Sequence, residues 1–548
     1  MSLGSFVKNI QNIMRGDSGI NGDAQRIEQM TWLLFLKVYD VKEGEWEFND
    51  TSGNYQSVIP NEYRWQNWAT DHKDGNVKTG DELLNFVNNE LFPALQGIVI
   101  TPDTPMSKVV VKKVFEDANN FMKDGVLLRQ VINELNGIEF DTYKDRHAFG
   151  EIYETILKSL QSAGNAGEFY TPRAVTDFTV QMLDPKLGET AADFACGTGG
   201  FLTSVLKHLE PKINTPEDNQ NYKDSIYGIE KKPLPYLLAV TNMLLHDIDR
   251  PQIHHDNALQ LNVREYSNED LFDIVIMNPP YGGTEGNMIK NNFPSDLQSS
   301  ETADLFMSVA MYRLKPIALG GGRAAMIIPD GFLFGTDGAK TAIKAKLIEE
   351  FNLHTIVRLP NSVFAPYTSI TTNILFFDNS KKTEKVWFYR LDMPENQKNF
   401  SKTRPMKLEH FDDAVAWWHD RKEIKDTDTD TYKAQAFTPD EIKSEVIDLK
   451  TVTDKKGNET IVKETKVSYN LDLCGYPSVE EEVLSPEDTI RQFHEKREEL
   501  NRRIDKQLLN IASLIGLDLQ KADLTSSSQA DTVTEGITDA QQSTQQDG

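Results

Sequence analysis

Two cysteines, Cys196 and Cys474, are all that the 548 residues contain, and they lie far apart without metal-ligand spacing. The chain is therefore read as having no disulfide framework and as belonging to a reducing compartment. No run of about 18 apolar residues occurs, which excludes a membrane-spanning helix, and Met1–Asn9 lacks the basic-then-apolar order of a secretion signal. Together these absences predict a cytoplasmic protein with no membrane partner. A G-x-x-x-x-G-K-[ST] phosphate loop is also missing, so ATP-driven work of that kind falls to some other chain. Positive charge is scarce as well: 58 Lys and Arg stand against 84 Asp and Glu, a net of -26. A protein that grips duplex DNA alone shows a basic face, because neutralised phosphates supply most non-specific affinity. Three readings stay open: a substrate other than nucleic acid, a more basic partner that supplies the grip, or a local basic groove within an acidic whole.

What is present is enough apolar residue, 39%, to build two or three cored domains. Residues 1–150 read as a helical domain, with Ile27, Met30, Leu34 and Val38 at helical spacing within Gln25–Val41 and a second such stretch through Gly80–Leu95. Over 151–390 the pattern changes to short apolar runs, Thr190–Ala195, Ser225–Ile229, Phe272–Met277, Arg323–Ile328 and Thr372–Phe377, alternating with helical stretches. That alternation predicts an α/β domain with a doubly wound, mostly parallel sheet. Residues 391–480 form a mixed extension with a hairpin about Lys455-Lys456-Gly457-Asn458 and no assigned role. Within 481–520 a helix begins at Ser485-Pro486-Glu487-Asp488 and carries Phe493, Leu500, Ile504, Leu508, Ile511 and Ile515 on one stripe, suited to docking or to ordinary intrachain packing. Residues 521–548, rich in Ser, Thr, Gln and Asp, read as a disordered tail.

The first site signal is Asp193-Phe194-Ala195-Cys196-Gly197-Thr198-Gly199-Gly200-Phe201, an apolar strand running into a glycine turn and then a helix. Glycines let a ligand approach the backbone, and a helix N-terminus presents unpaired N–H groups. A dinucleotide fold is the rival, but its fingerprint is G-x-G-x-x-G with an acid about 20 residues later. Here Gly200 follows Gly199 directly, and the next acidic strand end, Glu230, lies beyond an insertion at Pro211–Asp224. A carboxylate there can accept both hydroxyls of a ribose. The third strand end, His254-His255-Asp256-Asn257, offers a carboxylate and an amide to the edge of an adenine. Its histidine pair is not read as a metal site, because adjacent residues of a strand face opposite ways.

Asn278-Pro279-Pro280-Tyr281, after the apolar strand Phe272–Met277, decides the chemistry. Two prolines end the ladder and fix the backbone, leaving a rigid corner. An amino nitrogen conjugated to a ring is a poor nucleophile, since its lone pair is delocalised. The Asn278 side-chain oxygen and the Pro279 carbonyl can accept both amino hydrogens and free that lone pair for a methyl group, while Tyr281 stacks on the planar target.

These residues resemble the N6-adenine DNA methyltransferases, and the whole chain is similar to the modification (M) subunit of type I restriction-modification systems. The likeness spans nearly the whole chain: Gly22-Asp23-Ala24-Gln25-Arg26-Ile27-Glu28-Gln29, Gly167-Glu168-Phe169-Tyr170-Thr171-Pro172-Arg173, the glycine turn, the Asn-Pro-Pro-aromatic corner and the last helix. It implies an S-adenosylmethionine-dependent enzyme that methylates N6 of adenine in DNA. Phe169, Tyr170, Thr171 and Pro172 would pack about the methionine end of the cofactor. Asp193 with Gly197, Thr198, Gly199, Gly200 and Phe201 would hold its amino-acid portion, Glu230 its ribose, and Asp256 with Asn257 its adenine. Leu359–Thr368 resembles the loop that helps hold the flipped base, with Phe364 as the candidate. Many relatives have phenylalanine where Tyr281 stands, and the swap is read as keeping the stacking with no consequence for the reaction.

The resemblance also answers the charge. This family delegates sequence reading to a separate specificity (S) subunit, on which the last helix and part of the helical start would dock. A second copy of the chain, a restriction (R) subunit and duplex DNA would complete the complex. No metal is implied, because a sulfonium already carries an activated methyl.

Asn-Pro-Pro-Tyr also serves enzymes that methylate a glutamine amide in release factors or an exocyclic amine in RNA, but those lack the long helical start and the C-terminal extension. A non-catalytic scaffold would be expected to lose Asn278 or the aromatic, and both are present. Asp426-Thr427-Asp428-Thr429-Asp430 mimics the start of a calcium loop, then has Thr431 where glycine is required and Phe437 where the bidentate glutamate belongs.

Overall fold

The computed structural model describes residues 3–53, 55–70, 77–138, 153, 170–365, 368, 370–394, 397–401, 403–425, 431–453, 459–475 and 486–514. The chain divides into two compact units, 1–476 and 477–548. In the first unit the helical start is organised around one long helix, Asp23–Asn49, in which Ile27, Met30, Leu34 and Val38 are buried as their spacing predicts. Trp32, Leu33, Phe35 and Leu36 are buried too, so this helix is sheathed on every side. Trp32 meets Phe92 edge-on with ring centroids 5.0 Å apart. The second expected stretch is helical in three pieces, Gly80–Phe86, a single widened turn Val87–Leu91, and Phe92–Gln96. Pro93 has no N–H to offer the regular ladder, and the turn before it relaxes to wider bonding. Buried Lys42 joins this helical part to the sheet domain through Asp247, and reaches Asp249 at 3.4 Å.

One sheet of ten strands carries the rest: β1 (Ala191–Asp193), β2 (Ile226–Glu230), β3 (Ile253–His255), β4 (Ile274–Met277), β5 (Arg323–Pro329), β6 (Asn352–Arg358), β7 (Thr372–Asp378), β8 (Val386–Arg390), β9 (Ile424–Lys425) and β10 (Tyr432–Phe437). Their order is β3-β2-β1-β4-β5-β7-β6-β8-β10-β9. The first five are mutually parallel, as the alternation of apolar runs and helices predicts. Strand β7 runs antiparallel to both neighbours. Among the described residues no helix lies between β6 and β7, and their antiparallel pairing returns the chain from the end at which it left. Side chains alternate between two cores: Ile274, Ile276, Ala325 and Ile327 enter one, and Val275, Met277, Ala324, Met326 and Ile328 the other. Both faces are covered, and the carboxyl ends of β3, β2, β1 and β4 open side by side, which is where such sheets bind ligands.

Residues 391–480 are not a region apart from the sheet. Strands β9 and β10 continue it beyond β8. The strand Tyr432–Phe437 has only Ala434 fully buried, too little alternation to betray it in the sequence. The expected hairpin is formed by β11 (Lys443–Thr453) and β12 (Glu459–Tyr469); its turn, 455–458, lies outside the described residues, as does the calcium-like run 426–430.

In the second unit a helix spans Pro486–Leu514. Phe493, Leu500, Ile504, Leu508 and Ile511 are between 41% and 69% exposed along it. Ser485, Ile515 and the tail 521–548 lie outside the described residues. No helix among the described residues is long and apolar enough to cross a membrane.

Candidate active site

The glycine turn stands between β1 and the helix Gly200–Leu209. Two bonds pin it: the Cys196 N–H donates to the Ile229 carbonyl at 3.0 Å, and the Gly199 N–H to the Cys196 carbonyl at 2.8 Å. Gly199 caps the helix with φ 78°, a left-handed conformation that a side chain resists, and a Cβ there would sit 3.0 Å from Met243 Cε. The turn thus offers bare backbone at the sheet edge. Thr198 is buried, its carbonyl accepting from Asn242 Nδ2 at 3.2 Å. Phe201 turns its ring into the core and can present only backbone to a ligand.

Two carboxylates flank this turn. Asp193, 1% exposed, accepts the Ala195 N–H at 3.0 Å; Glu230, 7% exposed, accepts the Gly197 N–H at 2.9 Å and the Lys232 N–H at 2.7 Å. Burial pushes the Asp193 carboxyl well above its usual range, and the Glu230 charge adds to the effect; burial raises Glu230 as well. Carboxylates so placed suit a ligand that brings hydroxyls and positive charge. Asp256, at the next strand end, donates its N–H to the Glu230 carbonyl at 3.1 Å and accepts the Asn257 N–H at 2.7 Å, with its side chain exposed at the rim. Asn257 Oδ1 accepts the Leu259 N–H at 3.1 Å. His254 lies beside Tyr227 and His255 stacks on Tyr236, each imidazole engaged by its own aromatic neighbour.

The corner after β4 is held from two directions. Asn278 Nδ2 donates to Thr171 Oγ1 at 3.1 Å, and the Tyr281 hydroxyl donates to Asn278 Oδ1. The same hydroxyl lies 3.4 Å from the Ile327 carbonyl on β5. Pro279 is buried and Pro280 exposed. Tyr281 is half-buried, and burial keeps its phenol protonated as a donor. The sequence reading gave this hydroxyl no consequence; it donates to the Asn278 amide oxygen, one of the two acceptors expected at this corner. Nothing in the sequence marks Ile327, because its contribution is a backbone carbonyl.

Segment Tyr170–Arg173 completes the cleft. Tyr170 is buried, and Pro172 opens the helix Arg173–Leu183. The Arg173 guanidinium carbon lies 5.8 Å from the centroid of the Tyr170 ring. Phe169 is outside the described residues. Phe364 is 6% exposed and packs with Val363 in the core that also holds Tyr170 and against which Tyr281 packs.

The pattern shared by N-6 DNA methylases matches residues 144–461, more than half of the chain, and that of the HsdM N-terminal domain matches residues 3–135. The chain belongs to the N-6 DNA methylase family. The methylase subunit of the type I restriction enzyme EcoEI of Escherichia coli is 51% identical over 420 residues, 76% of this chain and 83% of that one. Among solved structures, a chain described as a modification subunit of a type I restriction enzyme from Vibrio vulnificus YJ016 is 38% identical with a TM-score of 0.72, over 88% of this chain and 98% of that one. A chain from a structure concerned with complex assembly and conformational transition of the type I R-M system is 34% identical with a TM-score of 0.71, covering 93% of this chain and 98% of that one. This methyltransferase is accordingly the methylation subunit of a type I restriction-modification system, acting on N6 of adenine in DNA with S-adenosylmethionine as methyl donor.

A carboxyl whose pKa is raised in the folded chain takes up a proton on folding, so its contribution to stability falls as pH rises from the ordinary value of about 4 through the raised one. Replacing Asp193 with Asn in this methyltransferase therefore raises the melting temperature of the ligand-free protein at neutral pH by a few degrees, with the gain vanishing toward a pH of about 4. The same variant binds S-adenosylmethionine more weakly. A variant that melts below wild type at neutral pH contradicts the burial penalty.

Proposed function

We propose that the Asn278-Pro279-Pro280-Tyr281 corner takes the target adenine while Tyr170–Pro172, the turn Gly197–Gly200, Asp193, Glu230, Asp256 and Asn257 hold the cofactor. The observation that carries this reading is the juxtaposition of two acceptors at the end of β4 with Thr171, whose own segment runs on toward the glycine turn. The buried carboxylates and the uncovered turn fit a ligand that has ribose hydroxyls and a cationic end. Bound there, S-adenosylmethionine supplies an electrophilic methyl carried on its sulfonium.

The chain's own groups do the rest. Asn278 Oδ1 and the Pro279 carbonyl accept the two amino hydrogens of an adenine swung out of the duplex, which turns the nitrogen lone pair toward the methyl. Tyr281 releases Asn278 as the amino group arrives and lays its ring against the base. Thr171 keeps the amide from rotating, so the oxygen stays on the substrate side. The prolines cost nothing in reorganisation, since the corner is already set. Phe364, in the core against which Tyr281 packs, is the further candidate for holding the base.

With a net charge of -26 the chain relies on a specificity subunit for its grip on duplex DNA. Residues 481–520, through the exposed stripe of the helix Pro486–Leu514, and part of residues 1–150 dock on that subunit and close about the DNA, and 151–390 carry the reaction. A second copy of the chain and a restriction subunit complete the assembly, which works in the cytoplasm.

Asn278→Ala should lower methyl transfer by roughly 100-fold or more while leaving S-adenosylmethionine affinity close to wild type, as expected when a preorganised transition-state partner is removed. Transfer at a near wild-type rate would refute the assignment. Substituting Leu500 and Ile504 together by Asp should abolish co-purification with the specificity subunit and leave cofactor binding unchanged. A complex of undiminished affinity would show that another surface does the docking.

A further inference from the structure

We infer that Asn292 is a positioning residue for recognition of the cofactor's adenine, an inference that rests on the cofactor site proposed above. Its side-chain amide carries two N–H groups and donates to two successive carbonyls: Nδ2 lies 2.9 Å from the Leu259 oxygen and 2.8 Å from the Gln260 oxygen. The Asn292 carbonyl accepts the Val263 N–H at 3.0 Å. One residue thus closes, from outside it, the turn that begins at Asp256 and Asn257. Asn257 shapes the other half of that turn, its side-chain oxygen accepting the Leu259 N–H at 3.1 Å and its carbonyl the Gln260 N–H at 3.0 Å.

Asp256 depends on such support because regular structure ends before it. Strand β3 stops at His255, and Asp256 keeps one bond to the sheet, from its N–H to the Glu230 carbonyl. Its side chain is exposed at the rim, so the backbone of the following turn sets where the carboxylate points. A bond from an adenine amino group to that carboxylate is directional, and a turn free to shift would lose it. Asn292 is itself held in place: Phe293 and Leu297, 1% and 2% exposed, pack in the same core as Leu259 and Val263. Arg264 Nη2 donates to the Asn291 carbonyl at 3.2 Å and ties the two segments again. The segment that brings Asn292 here starts at the target corner. It belongs to the loop leaving Tyr281, whose base is clasped by the Thr302 N–H on the Gly283 carbonyl at 3.0 Å and the Glu285 N–H on the Ser300 carbonyl at 3.1 Å. Strands β1 and β2 lie between β4 and β3. At ordinary strand spacing the loop therefore spans roughly 14 Å along the row of strand ends. The peptide that follows the target-base corner thus also fixes the turn assigned to the cofactor's adenine.

The test compares S-adenosylmethionine with its analogue bearing purine in place of adenine, which lacks only the 6-amino group, in equilibrium binding to the full-length protein. Wild type should prefer the adenine ligand by about tenfold or more, the worth of a hydrogen bond to a charged group. Asn292→Ala should reduce that preference to within about threefold, weakening S-adenosylmethionine while the purine analogue stays within about twofold of wild type. Asn292→Asp, of the same size but with no N–H to donate, should behave like Asn292→Ala, and Asn292→Gln, which keeps the amide, should retain part of the preference. In an Asp256→Ala background Asn292→Ala should cost S-adenosylmethionine less than about twofold more, because the carboxylate it aims is gone. Equal weakening of both ligands by Asn292→Ala, no weakening of either, or full additivity with Asp256→Ala overturns the inference. A wild type that binds both ligands equally would instead strike the assignment of Asp256 to adenine, and one that binds neither would strike the cofactor site itself.

Discussion

The place where β4 stops sets the geometry of the cleft. Met277 is the last residue of the strand in register with β5, opposite Met326, and two of the next three residues are prolines with no N–H to continue the ladder. The chain must leave the sheet there, which delivers Asn278 to the carboxyl edge with its amide free to be held from the side. Thr171 takes the nitrogen and Tyr281 the oxygen, so the amide has one orientation before any substrate arrives. Because β1 is the parallel neighbour of β4, the glycine turn opens next to this amide, and Glu230 one strand further on ties itself to the same turn through the Gly197 N–H.

That arrangement is kept at a cost to the ligand-free fold. Asp193 and Glu230 are shut away from water on backbone donors, with no ion pair to either among the described residues; burial raises both carboxyls, and the Glu230 charge raises Asp193 further. The protein tolerates this because its sheet is covered on both faces by continuous apolar cores. A ligand that brought the missing positive charge would return on binding the stability the fold forgoes. The acidity of the whole chain extends the same logic outward, since a protein carrying -26 has little positive charge of its own to offer polyanionic DNA.

The parts legible in the sequence are those written in local rules. Glycines at 197, 199 and 200, the proline pair at 279–280 and the apolar runs of β1, β2, β4, β5 and β7 each announce their backbone state without knowledge of the rest. The buried stripe Ile27, Met30, Leu34 and Val38 is legible for the same reason. What escaped depends on partners distant in the chain. Strand β10 owes its place to pairing with β8 and β9 to pairing with β10, and β10 shows little alternation of its own. The burial of Phe364 is likewise set by tertiary packing and not by its own motif. The second partner of the Tyr281 hydroxyl is a backbone carbonyl 46 residues away, and the position of Arg173 over Gly200 is visible only once two helices are set side by side.

The measurement that bears most directly on the account is transfer of labelled methyl from S-adenosylmethionine to duplex DNA, by the chain alone and with its specificity subunit, followed by digestion and identification of the labelled base. The account predicts N6-methyladenine, formed only when the specificity subunit is present. Label in another base, in RNA or in protein would contradict the chemistry assigned to the Asn278 corner, and equal transfer by the chain alone would contradict its dependence on a partner for DNA.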